Sequence, residues 1–464
     1  MSSLKITNTL SGEKEIFQPI KKGLVGMYNC GPTVYDFVHI GNLRAYVFAD
    51  ILRRTLEVNS YKVTQVVNIT DIGHLAGDGD SGEDKMTKGL KREGKPFTLE
   101  AMKELADFYT ERFKEDLRDL NIQMPTHLPK ASEHIKEDIV LIKKLEEKNF
   151  TYKTSDGVYF DTSKDADYGK LGGLSAESTE SRIGINDEKK NSRDFALWKF
   201  NDKLGFESPW GKGFPGWHIE CSAMSMKYLG ETFDLHTGGI DHISVHHNNE
   251  IAQSESATGK PFVHYWLHNA FVNIGNEKMA KSDGNFLRIQ TLKDRKISPL
   301  AYRLWLLGAR YSTPMNFSWE AMEGAQNSLK KLQTKIQNLG EKEEKTGKPD
   351  QKYLEKFTEF VNDDLDTPRA LALLWKVLDD AELSPKDKKA TVLEFDKVLG
   401  LKLDAALDSE TSTELPEEIK KLAEKRENTR KNKDWKTSDT LREELEKLGF
   451  KVKDTDAGQK ISKK

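Results

Sequence analysis

The segment SVHHNNEIA (residues 244–252) places a histidine and a carboxylate where both could bind one metal ion. His246 and Glu250 are four residues apart, so on a helix they lie on the same face. Two ligands do not complete a zinc site, which usually has four. The alternative is a polar patch on a solvated helix, and the choice depends on whether the chain supplies two more ligands.

The chain contains only two cysteines, Cys30 and Cys221, and they lie far apart in the sequence. The start MSSLKITNTLSGEKE has no basic segment followed by an apolar run, so we expect no secretory signal and a cytoplasmic location. A disulfide would be unusual in that reducing compartment. The two residues can be buried free thiols or metal ligands, and composition leaves both interpretations open.

The motif HIGN (residues 39–42) stands where a predicted strand gives way to a predicted helix. A helix N-terminus presents unpaired N–H groups and a positive dipole end, which favour phosphate. Gly41 would let a base or a phosphate approach the backbone, and His39 could donate to a developing negative charge. Taken alone, the motif is more typical of a capping turn that carries an exposed histidine.

The motif KMAKS (residues 278–282) places Lys278 and Lys281 three residues apart in a loop with glycines nearby. Such a cationic clamp suits a transferring polyphosphate, because positioning and charge neutralisation supply most of that catalysis. Taken alone, it is also compatible with an ordinary pair of surface lysines.

The elements around these motifs predict a parallel sheet. GLVGMYNC (23–30) and YKVTQVVNIT (61–70) are strand-like, and apolar residues at helical spacing between them predict a helix over 42–58. Strand, helix and strand in succession form a βαβ unit. ETFDLHT and NAFVNIG predict strands of a second such half, and SPLAYRLWLLGARY (298–311) predicts a further helix.

The 464 residues are enough for several domains. Two helices are predicted over 97–120 and 131–149, within or beside an insertion at about 120–205, and a lysine-rich helical region follows Phe317. No apolar run of 18 residues occurs, so no membrane span is expected. The net charge of −3 excludes a histone-like polycation but leaves nucleic-acid binding open, because local patches decide it.

The HIG motif after the first strand and the later KMAKS loop together resemble the signatures of class I aminoacyl-tRNA synthetases. YNCGPTVYDFVHIGN, PGWHIECSAM and HHNNEIAQSE narrow the resemblance to the cysteinyl-tRNA synthetases, and it runs along nearly the whole chain. The resemblance implies an α/β protein with a Rossmann-type parallel-sheet catalytic domain (1–120 and 206–275), a connective insertion (121–205), a lysine-loop and stem-contact region (276–318) and an all-α anticodon-binding bundle (319–464).

The resemblance also implies the reaction. Cysteine and ATP, with its Mg²⁺, would give cysteinyl-adenylate, and cysteine would then pass to the terminal ribose of its tRNA. The chain would be a monomer without membrane contact. The family's first signature commonly ends in histidine, where Asn42 can donate a hydrogen bond but carries no charge. The implied catalytic residues are His39, Asn42, Lys278 and Lys281, and the ATP-binding residues are Gly41, Gly239, Asp241 and Lys281.

The family's zinc ligands fall on Cys30, Cys221, His246 and Glu250, so both cysteines of the chain are used. Two thiolates, an imidazole and a carboxylate form an acceptable zinc set. A metal that accepts a substrate thiolate would reject a serine hydroxyl, which removes the need for editing. His247 is adjacent to His246 and could take its place; the resemblance and the spacing to Glu250 favour His246, with His247 on the side of Ile251.

The resemblance places Thr70, Trp217 and His236 in the amino-acid pocket, although Trp217 could instead be a core residue. Gly239 would admit the adenosine, and Asp241 would accept hydrogen bonds from the ribose hydroxyls, as acidic residues do in other nucleotide sites.

The C-terminal region resembles the family's anticodon-binding end. From residue 416 onward it holds 15 Lys or Arg against 11 Asp or Glu, and basic residues neutralise phosphates while aromatic ones stack on splayed bases. Arg430, Trp435 and Asp439 match anticodon-reading positions. The alternative is a charged helix pair with a core tryptophan.

Two other functions fit parts of the pattern. A cysteine ligase that acts on an amino-sugar would need the catalytic half alone, and the long basic C-terminal region argues against it. A catalytically silent RNA-binding or zinc-sensing relative would not need both lysines of the loop and all four ligands.

Overall fold

The protein is described by a computed structural model over residues 2–73, 84–173, 188–274, 277–278, 286–340, 347–404, 417–432, 434–455 and 458–463. The chain forms two compact units. Unit 1 contains Met1–Leu339 and Glu344–Leu403, and unit 2 contains Gly340–Glu343 and Asp404–Lys464.

Short strands occur in both units of the described chain. In chain order they are β1 (Lys5–Asn8), β2 (Glu13–Ile16), β3 (Leu24–Asn29), β4 (Lys62–Val67), β5 (Thr151–Lys153), β6 (Gly157–Phe160), β7 (Phe195–Phe200), β8 (Gly213–Pro215), β9 (Phe233–Gly239), β10 (Val263–Asn269), β11 (Val272–Ile274), β12 (Glu277–Lys278), β13 (Met315–Phe317), β14 (Phe450–Thr455) and β15 (Gly458–Lys463).

The helices are α1 (Ile40–Val58), α2 (Lys85–Arg92), α3 (Leu99–Asp119), α4 (Ile135–Glu147), α5 (Trp217–Leu229), α6 (His246–Thr258), α7 (Ile289–Asp294), α8 (Pro299–Leu307), α9 (Trp319–Gln337), α10 (Gln351–Val361), α11 (Thr367–Asp379), α12 (Pro385–Leu399), α13 (Glu417–Lys431) and α14 (Trp435–Lys447). Within the described ranges, no helix combines the length and the apolar character that crossing a bilayer would require.

The centre of unit 1 is a parallel sheet in the strand order β10-β9-β3-β4. β3 and β4 are joined through α1, as the βαβ pattern predicted, and the predicted α/β class is confirmed. The order in which the chain adds strands to the sheet reverses at β3. Strand β4 lies on one side of β3, and the later strands β9 and β10 lie on the other. Open α/β sheets bind ligands beyond the carboxyl ends of their strands at such a point.

Helix α1 begins two residues before the predicted start at 42 and ends at Val58 as predicted. Its buried face carries Leu43, Val47 and Leu52, which pack on the sheet at helical spacing. Arg44 in the same helix is also buried, and its guanidinium group donates to the carbonyls of Phe271 (2.6 Å) and Thr313 (2.6 Å). Arg44 therefore fixes α1 to the chain on both sides of α8.

The region predicted as an insertion contains a second sheet, antiparallel, in the order β5-β6-β7-β8. Its apolar side, with Phe160 and Trp198, packs in one buried cluster with Leu141 of α4 and Ile219 of α5. The sheet continues to β8, beyond residue 205, so it is built from chain on both sides of the predicted boundary. The insertion therefore shares its core with the helix that follows it.

Helices α9 to α12 belong to unit 1, so the structure divides the region predicted as one domain over 319–464. Unit 2 holds α13, α14 and the antiparallel hairpin β14–β15, around a small core with Ile419, Leu445 and Phe450. The predicted helical C-terminal region is confirmed, with this hairpin as an addition. The other predicted domain boundaries stay predictions.

A buried arginine ties the helices of unit 1 together. Arg303 of α8 is fully buried and donates to Asp50 Oδ2 of α1 (2.6 Å) and to the Leu399 carbonyl at the end of α12 (2.7 Å). Asp50 also accepts from Arg54 (2.8 Å). A buried charge needs this many partners, because the free-energy cost of removing it from water would otherwise exceed the electrostatic attraction that it gains.

We predict that Arg303→Met lowers the free energy of unfolding by about 3–5 kcal/mol, because it leaves the Asp50 carboxylate buried without one of its two arginine partners. Urea unfolding followed by circular dichroism measures the change. Arg369→Met is the matched control. The Arg369 side chain is 48 % exposed beside Asp363 and Asp366, and its loss should cost less than about 1 kcal/mol. Equal losses in the two variants would contradict the buried network's role.

Candidate metal centre and active site

A group of cysteine, histidine and glutamate side chains meets beyond the carboxyl ends of β3 and β9. Cys30 directly follows β3, and His236 lies in β9, while α5 carries Cys221 and α6 carries His246 and Glu250. Helix α5 can begin where it does because Gly216 precedes it: a Cβ at Gly216 would lie 1.9 Å from the Ala196 carbonyl oxygen. Close packing of α5 on β7 thus sets the position of Cys221.

The ligand atoms of Cys30, Cys221, His246 and Glu250 all lie within 4.8 Å of one another. A second set, Cys30, His236, His247 and Glu250, satisfies the same distance. The two sets share Cys30 and Glu250, and together these six residues are called the ligand cluster. The structure therefore brings the four predicted ligands together, and it also offers two further histidines.

Two atoms of the ligand cluster have geometry that a cation would explain. His246 Nε2 and Glu250 Oε1 are 2.9 Å apart and buried, yet within the described part of the chain neither forms a hydrogen bond. Buried polar atoms are nearly always hydrogen-bonded, so two buried atoms that lie side by side without a hydrogen bond need another partner. A metal ion that accepts both lone pairs would be that partner, and the residues fit such an ion.

The remaining ring and carboxylate atoms are held by neighbours. His236 Nε2 donates to Glu250 Oε2 at 3.0 Å, and the Nδ1 atoms of His246 and His218 are 2.9 Å apart. Burial lowers the pKa of His218 well below its usual value, so His218 is neutral and can accept the Nδ1 proton of His246. Burial opposes protonation of His246, but Glu250 and Cys221 raise its pKa to about 10, so Nε2 also carries a proton. A bound metal ion would replace that proton, while Nδ1 keeps its hydrogen bond to His218.

The cluster carries negative charge at neutral pH. The hydrogen bond from the Cys30 thiol, aided by His246, outweighs burial and lowers the pKa of Cys221 to about 6. Burial opposes ionisation of Glu250, but the imidazoles of His236 and His246 lower the pKa of its carboxyl group to about 2. A thiolate and a carboxylate buried together favour a thiophilic cation between them.

His247, expected on the side of Ile251 as a residue that supports the ligands or lies in the core, packs against the ligand cluster. It is fully buried, with Nε2 3.3 Å from Cys30 Sγ and Nδ1 2.8 Å from His268 Nε2. Its ring also lies against the ring of His236, with centroids 4.5 Å apart. His247 therefore contacts the ligand cluster directly, and His268, which no sequence signal singled out, holds its other nitrogen.

The three residues predicted for the amino-acid pocket lie in the ligand cluster or near it. His236 contacts Glu250, and the half-buried Trp217 stacks on His246 with ring centroids 4.2 Å apart. Thr70 is buried and donates to Glu220 Oε2 (3.3 Å), next in the chain to Cys221. Trp217 is therefore not simply a core residue, because one face of its indole covers a candidate ligand. Glu220 was not predicted.

The HIGN motif forms the N-terminus of α1. His39 is the N-cap residue, and its Nδ1 accepts a hydrogen bond from the Asn42 N–H (3.1 Å), which leaves the ring proton on Nε2. Gly41 is half-buried and Asn42 is exposed in the first turn. The Ile40 N–H donates to the Leu287 carbonyl (2.8 Å), so the chain that follows the lysine loop returns directly to this motif.

The other predicted nucleotide-binding residues lie at the end of β9 and in the lysine loop. A Cβ at Gly239 would lie 2.3 Å from Asp241 Oδ1, so a larger residue there would displace that carboxylate. The backbone of Lys278 pairs with Asn273 in the hairpin β11–β12, and nothing is described of its side chain. Lys281 lies outside the described residues.

In unit 2, the predicted RNA-contacting residues lie at the surface. The Trp435 side chain is 57 % exposed, and the Arg430 guanidinium lies 5.9 Å from the centre of its ring. Asp439 is exposed one helical turn further on, and Arg430 pairs with Asp454 at 2.6 Å. The interpretation of Trp435 as a core residue is therefore wrong, and an exposed indole beside a guanidinium suits base stacking.

Two family models match the chain. The tRNA synthetases class I (C) catalytic domain matches residues 16–327, and the cysteinyl-tRNA ligase anticodon binding domain matches residues 412–461. The second match covers most of unit 2 and leaves helices α9 to α12 outside it.

The chain is also similar along its whole length to curated proteins. It is 46 % identical over 466 residues to cysteine–tRNA ligase 1 of Burkholderia lata, covering 99 % of this chain and 96 % of that relative. It is 44 % identical over 496 residues to the cysteine–tRNA ligase of Treponema denticola, covering 100 % of each. Methionyl-tRNA synthetase of Mycobacterium tuberculosis, solved in complex with methionyl-adenylate, shares the fold with a TM-score of 0.58 at 14 % identity, over 84 % of this chain and 92 % of that one.

The two overlapping ligand sets can be separated by mutation. We predict that Cys221→Ser and His246→Asn lose bound metal, because they remove the thiolate and one of the two orphaned atoms of the predicted set. His247→Asn should retain metal with an affinity weakened by about 10- to 100-fold, as for residues that orient ligands. Metal content of purified protein and competition with a chromogenic chelator measure these effects. Metal loss in His247→Asn with retention in Cys221→Ser would assign the second set instead.

Proposed function

The chain belongs to the cysteine–tRNA ligases of the class I synthetases, and on this basis we propose how its residues perform the two steps of that reaction. Cysteine and ATP form cysteinyl-adenylate and pyrophosphate, and the adenylate's carbonyl is then attacked by the terminal ribose of the tRNA. The observation that carries the proposal is that two thiols, a histidine and a glutamate meet beside Trp217, near the place where the strand order of the sheet reverses.

Zinc is the proposed metal, held by Cys30, Cys221, His246 and Glu250. When bound, it would act as a thiophilic Lewis acid, which favours a thiolate over a serine hydroxyl. The protein's own contribution is to hold two of the ligands as anions and to orient the third. His236 holds the second oxygen of Glu250, and Trp217 forms the wall that separates the substrate from water.

The proposed nucleotide site lies between α1 and the end of β9. The proton of His39 is on Nε2, where it can donate to a phosphate oxygen, and the N-terminus of α1 adds its dipole. Gly41 and Gly239 admit the nucleotide, and Asp241 accepts from the ribose. Asn42, Lys278 and Lys281 are proposed to stabilise the transferring phosphate, with Mg²⁺ carried by ATP.

Unit 2 is proposed to read the anticodon through Arg430, Trp435 and Asp439. The family match over residues 412–461 and the exposure of Trp435 support this role, and neither supports a ligase that acts on an amino-sugar. We further propose that the chain works as a monomer in the cytoplasm, where protein synthesis consumes charged tRNA.

We predict pyrophosphate exchange into ATP with cysteine, and exchange with serine lower by about 10⁴-fold or more, because a hydroxyl leaves a site built for a thiolate unsatisfied. Removal of metal by a chelator should abolish the exchange with cysteine, and added zinc should restore it. The assay is run on protein of measured metal content, with each amino acid separately. Equal exchange with serine would refute the metal's role in selection, even though the family membership would stand.

We also predict that Trp435→Ala lowers the efficiency of tRNA charging about tenfold or more while leaving pyrophosphate exchange unchanged. Stacking of one base on an aromatic ring contributes roughly 1–3 kcal/mol. Trp435→Phe should keep most of the charging efficiency, because it retains a ring. A parallel loss of charging and exchange in Trp435→Ala would show that the residue acts on folding rather than on RNA.

A further inference from the structure

Lys85, the first residue of α2, lies beside the amino-acid pocket. We propose that its ammonium group binds an anionic oxygen of the two reacting groups, either the carboxylate of cysteine or the α-phosphate of ATP. This inference rests on the proposed function and adds a substrate-contacting residue to it.

Helix α2 is fixed at its N-terminal end to the segment that follows β4. Asp84 caps the helix, accepting from the N–H groups of Met86 (2.8 Å) and Thr87 (2.9 Å). The same carboxyl group lies against Gly73, where an added Cβ would be 3.2 Å from Asp84 Cγ. Lys85 follows directly, so its backbone is held at the edge of the sheet where the ligand cluster lies.

The other end of α2 is fixed to the segment that leads into α1. Arg92 donates to the Tyr35 carbonyl (2.7 Å) and pairs with Asp36 (2.7 Å). Gly89 packs so closely on the same segment that a Cβ there would lie 2.9 Å from the Tyr35 carbonyl oxygen. Residues 35 and 36 precede His39, so α2 spans the distance between the amino-acid pocket and the proposed phosphate site.

This placement brings the Lys85 ammonium over the indole of Trp217. Its Nζ is 5.5 Å from the centre of the ring, within the range of a cation–π contact, and the side chain is half-buried. The indole in turn stacks on His246, a candidate ligand. A cysteine whose sulfur reaches the ligand cluster has its carboxylate only a few covalent bonds away, so a cation held over Trp217 lies near enough to bind it.

The chemistry of activation needs a cation at that position. A carboxylate oxygen of cysteine forms a bond to the α-phosphorus while the bond from that phosphorus to the bridging oxygen breaks, and pyrophosphate leaves with the electron pair. Both reacting groups are anions, so their approach is opposed by charge repulsion. An ammonium group between them lowers that repulsion.

The test compares three variants: Lys85→Met, Lys85→Arg and Lys88→Met. Lys88 lies on the same helix and is exposed, so it is the matched control for lost charge. Binding of cysteine and of cysteamine, which has the thiol and the amine but no carboxylate, is measured by calorimetry on zinc-loaded protein. Zinc content and the KM for ATP in pyrophosphate exchange are measured on the same three variants and on wild type.

If Lys85 binds the carboxylate, Lys85→Met weakens cysteine binding by about 10- to 100-fold, the range for a hydrogen bond to a charged group, and leaves cysteamine binding unchanged. If it binds the α-phosphate, both thiols bind normally while the KM for ATP rises or kcat falls. Either result supports the proposal, provided that zinc content is normal, that Lys85→Arg restores part of the loss, and that Lys88→Met behaves as wild type.

Two outcomes overturn the proposal. In the first, Lys85→Met matches wild type in all measurements. In the second, it loses zinc or weakens cysteine and cysteamine equally, which a structural role would explain. Wild-type protein that bound neither thiol would overturn the proposed function itself, and the role of Lys85 with it.

Discussion

The buried carboxylate of Glu250 is the constraint on which the rest of the site depends. One oxygen accepts from His236 at 3.0 Å, and the other lies 2.9 Å from His246 Nε2 without a hydrogen bond. A buried anion is tolerated only where cations or donors compensate it. The positions of β9, α5 and α6 follow from this requirement, because each contributes a group that faces Glu250, or a thiol beside it.

The sheet register brings those groups into one place. Tyr28 of β3 is paired with His236 of β9, and Asn29 with Thr237. Asn29 donates to Thr237 Oγ1 (2.5 Å) and accepts from Gln65 (2.7 Å), so a buried polar chain links three strands. A slip of one residue would turn His236 to the other face and break this chain, which is why the register is strongly specified.

The helices attached to the sheet carry the phosphate side of the site. Tyr302 of α8 donates to the Ile40 carbonyl (2.7 Å) in the first turn of α1, and the neighbouring Arg303 pairs with Asp50 further along that helix. The N-terminus of α1, with His39, is thus held by the same helix that anchors α12. Helices α9 to α12 therefore support the catalytic part of the chain, while the residues matched by the anticodon-binding family lie in unit 2.

The sequence by itself determined the α/β class, the main strands and helices, and, through the resemblance, the four candidate ligands, because periodicity and local motifs carry that information. It favoured His246 over the adjacent His247 as the ligand, since only His246 lies four residues from Glu250. It left open whether Trp435 lies in a core or at the surface. Only the tertiary structure decided the hydrogen bond between His246 and His218, the contact of His247 with Cys30, and the position of Lys85 over Trp217. Each of these depends on groups brought together from distant parts of the chain, which no local pattern records.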